Sequence, residues 1–252
     1  MSKAGKQRID QLLVDRGLAP SRERARALVL AGKVYRGEQR IEKAGDTVAA
    51  DAEITLRGED IPYVSRGGVK LAGALDALAI DPRELVCADF GASTGGFTDC
   101  LLQRGARRVY AIDVGHGQLH EKLTGDGRVV VMDRTNARSL DAASLPEPID
   151  LVVIDASFIG MAKLLPAARA VLRGATPGPA GRLLAMIKPQ FEVGPANLRK
   201  GVVRDATVRA AAIAAVAEAA RAEGFEVHDV KDSVLEGPEG NLEAFLWASR
   251  ER

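Results

Sequence analysis

The chain has 252 residues, a formal net charge of +1 and 46% hydrophobic residues, which excludes a disordered polymer and fits one large soluble domain or two unequal ones. Its two cysteines, Cys87 and Cys100, are too few for a disulfide framework or a cysteine-based zinc site and suit a reducing cytoplasm. No apolar run approaches the roughly 20 residues of a membrane span, and MSKAGKQRIDQLL has positive charge but no apolar signal region, so no membrane association is expected.

The pattern changes near residue 60, predicting domains at 1–60 and 61–252. In the first, RIDQLLVDRGLAPSRERARALVLAGKV predicts two short helices. Ile9, Leu12 and Leu13 share one apolar face, Gly17 to Pro20 break the helix, and Ser21 is placed to cap the next. Ala25, Leu28 and Val29 then face inward, and Gly32 closes the turn. KVYRGEQRI and TVAADAEITL predict short strands. Residues 22 to 40 concentrate Arg22, Arg24, Arg26, Lys33, Arg36 and Arg40 against Glu23 and Glu38. Arg22 and Arg26, four apart, share a helix face away from Leu28. Such a cluster is either a solvated surface or a grip for phosphates. The order of elements, with RIDQLL, SRERARALVLAGKVYRG and GDTV in sequence, resembles the S4 RNA-binding domain over about residues 8 to 57. The resemblance implies that Arg22, Arg24, Arg26 and Lys33 meet the backbone of structured RNA, ribosomal RNA included.

Beyond residue 60, GGVKLAGALDALAI predicts a helix with Leu71, Leu75 and Leu78 inward. Apolar strands LVCADFG, RVYAIDV, VVVMD, IDLVVIDAS and RLLAMIKP follow, of the kind buried in a parallel sheet. Ala-rich DATVRAAAIAAVAEAARAEG predicts a long helix closed by Gly224. FEVHDVKDS and EAFLWAS come last, separated only by VLEGPEGNL. That link is too short for a parallel crossover, so the two pair antiparallel. The predicted class is α/β: a seven-stranded Rossmann-like methyltransferase sheet with its last strand antiparallel, behind a small α+β domain.

The turn ADFGASTGGFTDC sits between the first of these strands and a helix starting near Phe97. Gly91, Gly95 and Gly96 let the backbone approach a ligand, and the helix N-terminus adds positive potential. Ser93 and Phe97 belong to the same expected binding set. Asp89 ends the first strand, Asp113 the second and Asp133 the third, where acids can meet an amine, ribose hydroxyls and an adenine amine. An acid at the first strand end favours cationic S-adenosylmethionine over the pyrophosphate of a nicotinamide dinucleotide, which Asp89 would repel. The GxGxxG spacing is absent as well.

Lys70, Asp155, Lys188 and Glu243 stand in strongly apolar settings. Lys188 directly after LLAMI needs a partner; an Asp155–Lys188 ion pair closing the sheet edge is the bland account. In chain order the four match the Lys-Asp-Lys-Glu tetrad of the FtsJ-like ribose 2′-O-methyltransferases. With the S4-like region in front, the chain resembles the TlyA (haemolysin A) family through SRGGVKL, DFGASTGGFTDCLL, VIDASFI, IKPQFE and EGNLEAFL. The resemblance implies 2′-O-methylation of cytidine in large-subunit (23S) ribosomal RNA, and in some members small-subunit (16S) RNA. A ribose hydroxyl needs a base and in-line alignment; Lys188 is assigned as the base or steering group, Asp155 as its orienter and Lys70 as its assistant. Glu243 is assigned to hold the acceptor or Lys70, with Glu192 competing for the acidic role. Phe158 is expected in the core, with stacking on the target base as the alternative. Arg66 and Arg134 are candidate RNA contacts or ordinary surface charges. His116 and His120 have metal-like spacing but no third ligand, so no metal is assigned. The alternatives in other classes are a cytolysin, a non-catalytic ribosome assembly factor and a nicotinamide-dependent reductase.

Overall fold

The computed structural model describes residues 5–30, 32–57, 61–174, 180–237 and 239–251, without the side chains of residues 24, 27 and 30. Two compact units, Met1–Asp60 and Ile61–Arg252, divide the chain.

In the first unit, β1 (Lys6–Arg8) leads into α1 (Ile9–Asp15) and α2 (Arg22–Leu30), followed by β2 (Val34–Arg36), β3 (Gln39–Arg40), β4 (Thr47–Ala49) and β5 (Ile54–Leu56). The inward faces are those the periodicity marks: Ile9, Leu12, Leu13, Ala25, Leu28 and Val29 are buried against Val34, Val48 and Ile54. Each such aliphatic side chain contributes about 1.5–3 kcal/mol on burial. TVAADAEITL divides between two sheets. Thr47–Ala49 pairs antiparallel with β1, and Ile54–Leu56 pairs with β2 in a separate sheet of order β3-β2-β5. β1 is polar and three residues long, so it has no periodic signal of its own.

The second unit runs α3 (Arg66–Ala77), β6 (Val86–Phe90), α4 (Gly96–Gln103), β7 (Arg108–Ile112), α5 (Glu121–Thr124), β8 (Val129–Met132), β9 (Leu151–Ile154), α6 (Leu165–Val171), β10 (Arg182–Ile187), α7 (Pro189–Glu192), α8 (Ala206–Ala222), β11 (Phe225–Asp232) and β12 (Ala244–Arg250). The seven strands lie in the order β11-β12-β10-β9-β6-β7-β8, with β12 antiparallel to both neighbours. The last strand therefore enters between β10 and β11 rather than adding at the edge. Ala244, Phe245, Leu246 and Ala248 of β12 are all buried, whereas β11 alternates toward solvent. The strand apolar on both faces takes the interior slot.

Alternate residues along the strands serve two cores. Cys87, Val109, Val153, Met186 and Phe245 pack beneath α3 and α4, while Ala88, Tyr110, Val152 and Ala185 pack beneath α6 and α8. The side chain of Asp205 caps α8 by accepting from the Thr207 and Val208 N–H groups. Among the described residues no helix is long and apolar enough to cross a membrane. The sheet's job for function is to end β6, β7, β9 and β10 on one side, where their charged residues converge.

Candidate active site

Asp155 and Lys188 each stand one residue past a strand end, and β9 and β10 are parallel neighbours, so the two side chains are delivered together. Lys188 Nζ lies 2.7 Å from Asp155 Oδ1 and donates to Ser157 Oγ at 2.8 Å. Lys70, in the second turn of α3, forms an ion pair with Glu243, which precedes β12; both side chains are buried. Burial pushes the Asp155 carboxyl above its ordinary range, and the cations of Lys188 and Lys70 pull it back. All four line a cavity of about 580 Å³, together with Arg66, Ser157, Phe158 and Gln190. Glu192 lies apart from this set: its Oε1 accepts from the Met161 N–H at 2.8 Å, and burial pushes its carboxyl up. Of the two competing acids, Glu243 is the one beside Lys70.

A second cavity, about 480 Å³, adjoins the first through the shared residues Asp155, Ser157 and Phe158. Gly91, Ser93 and Asp113 line it. The Asp113 carboxylate accepts from the Ser93 N–H at 2.8 Å and the Gly115 N–H at 2.7 Å, which fixes the turn around it. Gly91 has φ +87°, and a Cβ there would sit 3.0 Å from the Asp155 carbonyl oxygen. Glycine is thus required both by backbone conformation and by closeness to β9.

Asp89, just before the cavity-lining Phe90 and Gly91, is fully buried. Its Oδ2 accepts from Thr98 Oγ1 at 2.7 Å, while Oδ1 has no hydrogen-bond partner among the described residues. Burial, helped by the charges of Asp155 and Asp113 and opposed by Thr98, pushes this carboxyl up to about 7. An unpartnered buried acceptor is costly until a donor or cation reaches it.

Other expected cofactor residues lie outside the walls of both cavities. Gly95 is the left-handed N-cap of α4, at φ +94°. A Cβ on Gly96 would stand 2.9 Å from the Gly68 amide nitrogen, so that glycine lets α4 pack on α3. Phe97 stacks on Phe245 with ring centroids 6.0 Å apart. Asp133 accepts from the Gly117 N–H and contacts His116 Nδ1, both at 2.8 Å; chiefly the Gly117 bond holds its carboxyl below the ordinary range. Asp133 therefore pins the loop after β7. Gln118, Asn136 and Arg138 also line the second cavity. They sit on the loops after β7 and β8, where no periodic signal marks them.

Phe158 overturns the expectation of a core residue. It is 91% exposed, has the left-handed φ of +64°, and forms a wall of both cavities beside Phe191, ring centroids 5.1 Å apart. A non-glycine residue held in that conformation is strained, a feature that clusters at functional sites.

In the other unit, Arg22 and Arg26 are not merely solvated: with Arg8 they converge on the buried carboxylate of Asp10. The Arg24 side chain lies outside the described residues. Lys33 follows the Gly32 turn, its N–H donating to the Leu28 carbonyl at 3.0 Å. Arg66, on α3, donates to the Glu236 carbonyl at 3.2 Å.

Residues 63–250 match the FtsJ-like methyltransferase family and residues 7–54 the S4 domain. The 16S/23S rRNA (cytidine-2′-O)-methyltransferase TlyA of Mycobacterium tuberculosis is 46% identical over 246 residues, covering 97% of this chain and 90% of that protein. Hemolysin A of Brachyspira hyodysenteriae is 34% identical over 94% of this chain and 97% of its own length. A solved structure of a haemolysin-named protein from Streptococcus thermophilus superposes with a TM-score of 0.75 at 36% identity, covering 98% of this chain and 90% of that one. A structure from Listeria monocytogenes, described as an S-adenosylmethionine dependent methyltransferase, gives a TM-score of 0.54 at 12% identity over 74% of this chain and 99% of that one. At that identity it shows a shared fold.

Proposed function

The chain belongs to the TlyA family of FtsJ-like methyltransferases with an S4 domain ahead of the catalytic fold, and on that premise we propose that it methylates the 2′-hydroxyl of cytidine in ribosomal RNA. The large-subunit RNA is the expected substrate, with the small-subunit RNA a second one, and the cytoplasm the place of work. The observation that carries the reading is the junction of two cavities at Asp155, Ser157 and Phe158, with the paired Lys188 beside it.

The residues of the glycine turn fit S-adenosylmethionine. Asp89 Oδ1 is a buried acceptor without a partner among the described residues, and Gly91, Ser93 and Asp113 line the adjoining cavity. Asp89, Gly91, Ser93 and Asp113 would hold the cofactor. When bound, it supplies an electrophilic methyl group on a cationic sulfonium.

The acceptor side is the work of the tetrad. Lys188 would steer the acceptor hydroxyl and, as a neutral amine, take the proton that the hydroxyl loses when the methyl group transfers. Contacts to Asp155 and Ser157 orient the Lys188 side-chain nitrogen, so its direction is set before the substrate arrives. Glu243 holds Lys70 in the apolar wall, where its charge adds to the field at Asp155. Phe158 offers an open aromatic face against which the target base can stack. In the N-terminal unit, Arg22, Arg26 and Lys33, with Arg24, would meet RNA phosphates, and Arg66 would do so beside the first cavity.

Purified protein incubated with labelled S-adenosylmethionine and unmethylated ribosomal subunits should transfer label to RNA. Mass mapping should locate it on the ribose of cytidine. A folded protein that transfers nothing to either subunit or to free ribosomal RNA would sink the proposal.

A further inference from the structure

Asp10 is the second residue of α1, fully buried, and among the described residues four side-chain N–H groups converge on its carboxylate. Arg8 grips it with two, Nε to Oδ1 and a terminal nitrogen to Oδ2, both at 3.0 Å. Arg22 reaches Oδ2 at 2.9 Å and Arg26 Nε reaches it at 3.3 Å. The arginines come from three places: the end of β1, the first turn of α2 and its second turn. Their side chains remain 48%, 47% and 55% exposed. Carboxylate buried, guanidinium groups half open: the anion is covered by the cations and the cations face solvent.

We infer that Asp10 is a positioning residue for RNA binding, holding Arg8, Arg22 and Arg26 as one preorganised set for backbone phosphates. The inference rests on the RNA-binding reading of this unit. A structural ion pair would need one arginine. Among the described side chains, three around this one carboxylate leave an excess of two positive charges at close quarters, which repel each other unless an anion joins them. Each arginine also carries rotamer entropy that gripping a phosphate would consume. A shared buried anchor removes much of that loss before RNA arrives. Arg8 chiefly, with Arg22 and Arg26 behind it, holds the Asp10 carboxyl far below its ordinary range, so the anchor stays charged wherever RNA is bound.

The test turns on sign. Asp10→Asn in the full chain raises net charge by one, so electrostatics alone predicts equal or tighter binding to a ribosomal RNA transcript. Positioning predicts the opposite: affinity about five- to tenfold weaker, with KM for RNA raised by a similar factor and kcat unchanged. In an Arg8→Ala/Arg22→Ala/Arg26→Ala background, Asp10→Asn should weaken binding no further. Equal or tighter binding by the single variant overturns the inference. So does an undiminished further loss in the triple background, which is what a purely structural role produces. If Asp10→Asn does not fold, Asp10→Glu takes its place: charge is kept and geometry moved, so weakened binding supports positioning and wild-type affinity overturns it. If the triple variant itself binds RNA like the wild type, the RNA-binding reading of this face falls too. If only the triple variant weakens, the arginines bind RNA and Asp10 does not position them.

Discussion

Lys188 Nζ lies 2.7 Å from Asp155 Oδ1, joining the ends of the parallel neighbours β9 and β10, of which β10 runs two residues further. Removing the amine takes from the first cavity the cation paired with Asp155, one of the residues at the junction of the two cavities. Lys188→Ala should therefore lower kcat for RNA methylation by about 10²- to 10⁴-fold. S-adenosylmethionine affinity, measured by calorimetry, should stay within about twofold. A variant that retained most of its turnover would remove Lys188 from the chemistry.

The buried Lys70–Glu243 pair has a different signature. Glu243→Gln strands an ammonium in an apolar wall, and breaking such a pair costs about 3–5 kcal/mol. Denaturant unfolding should show that loss. Lys70→Met combined with Glu243→Leu should recover most of the stability, because neither charge is then left alone, yet restore no activity. Glu192→Gln, which removes an acid hydrogen-bonded to the Met161 amide, should spare turnover relative to Glu243→Gln.

Asp89 predicts a pH dependence. Its carboxyl is raised from 3.8 to about 7 in the ligand-free fold, so between those values the folded state binds a proton that the unfolded state has released. Stability is then fullest below about pH 4 as far as this group is concerned, falls as pH rises toward 7, and levels off above. Affinity for a cationic ligand runs the other way, rising with pH up to about 7, because the ionised carboxylate attracts it. Asp89→Asn should flatten both profiles, weaken S-adenosylmethionine binding and stabilise the ligand-free protein at pH 8 by roughly 1–3 kcal/mol. Parallel pH titrations of melting and of ligand affinity check the two signs together.

Phe158 contributes little to the core, being almost fully exposed. Phe158→Ala should change stability by no more than about 0.5 kcal/mol. If the ring stacks on the acceptor base, the same change should lower kcat/KM by about 10-fold or more, in line with roughly 1–3 kcal/mol per stacked base. Phe158→Gly, freed from the left-handed strain, should be at least as stable as the alanine variant and no more active. Unchanged kcat/KM in both would refute a role in holding the base.

The alternating and fully apolar runs mark every strand of the seven-stranded sheet, because strand burial is a local pattern of the chain. Charged residues directly after such runs mark Asp155 and Lys188 for the same reason: an ion beside LVVI or LLAMI must find a partner at the strand end. The slot of β12 between β10 and β11 is not local. It follows from which strand is apolar on both faces once all seven compete for places. The glycines divide likewise. Gly91 borders the cavity, whereas Gly96 answers to the approach of α3, a helix that nothing in the turn reveals.

What the sequence determined by itself was the chain order of the seven strands of the large sheet, a change of pattern near residue 60, and which residues carry charge at strand ends; these depend on neighbours along the chain. Only the tertiary structure decided that Glu243 rather than Glu192 meets Lys70, that Phe158 stands open between two cavities, and that Asp10 gathers three arginines. Each of those outcomes depends on distances between residues far apart in the chain. Such distances are set by packing, and periodicity does not carry them.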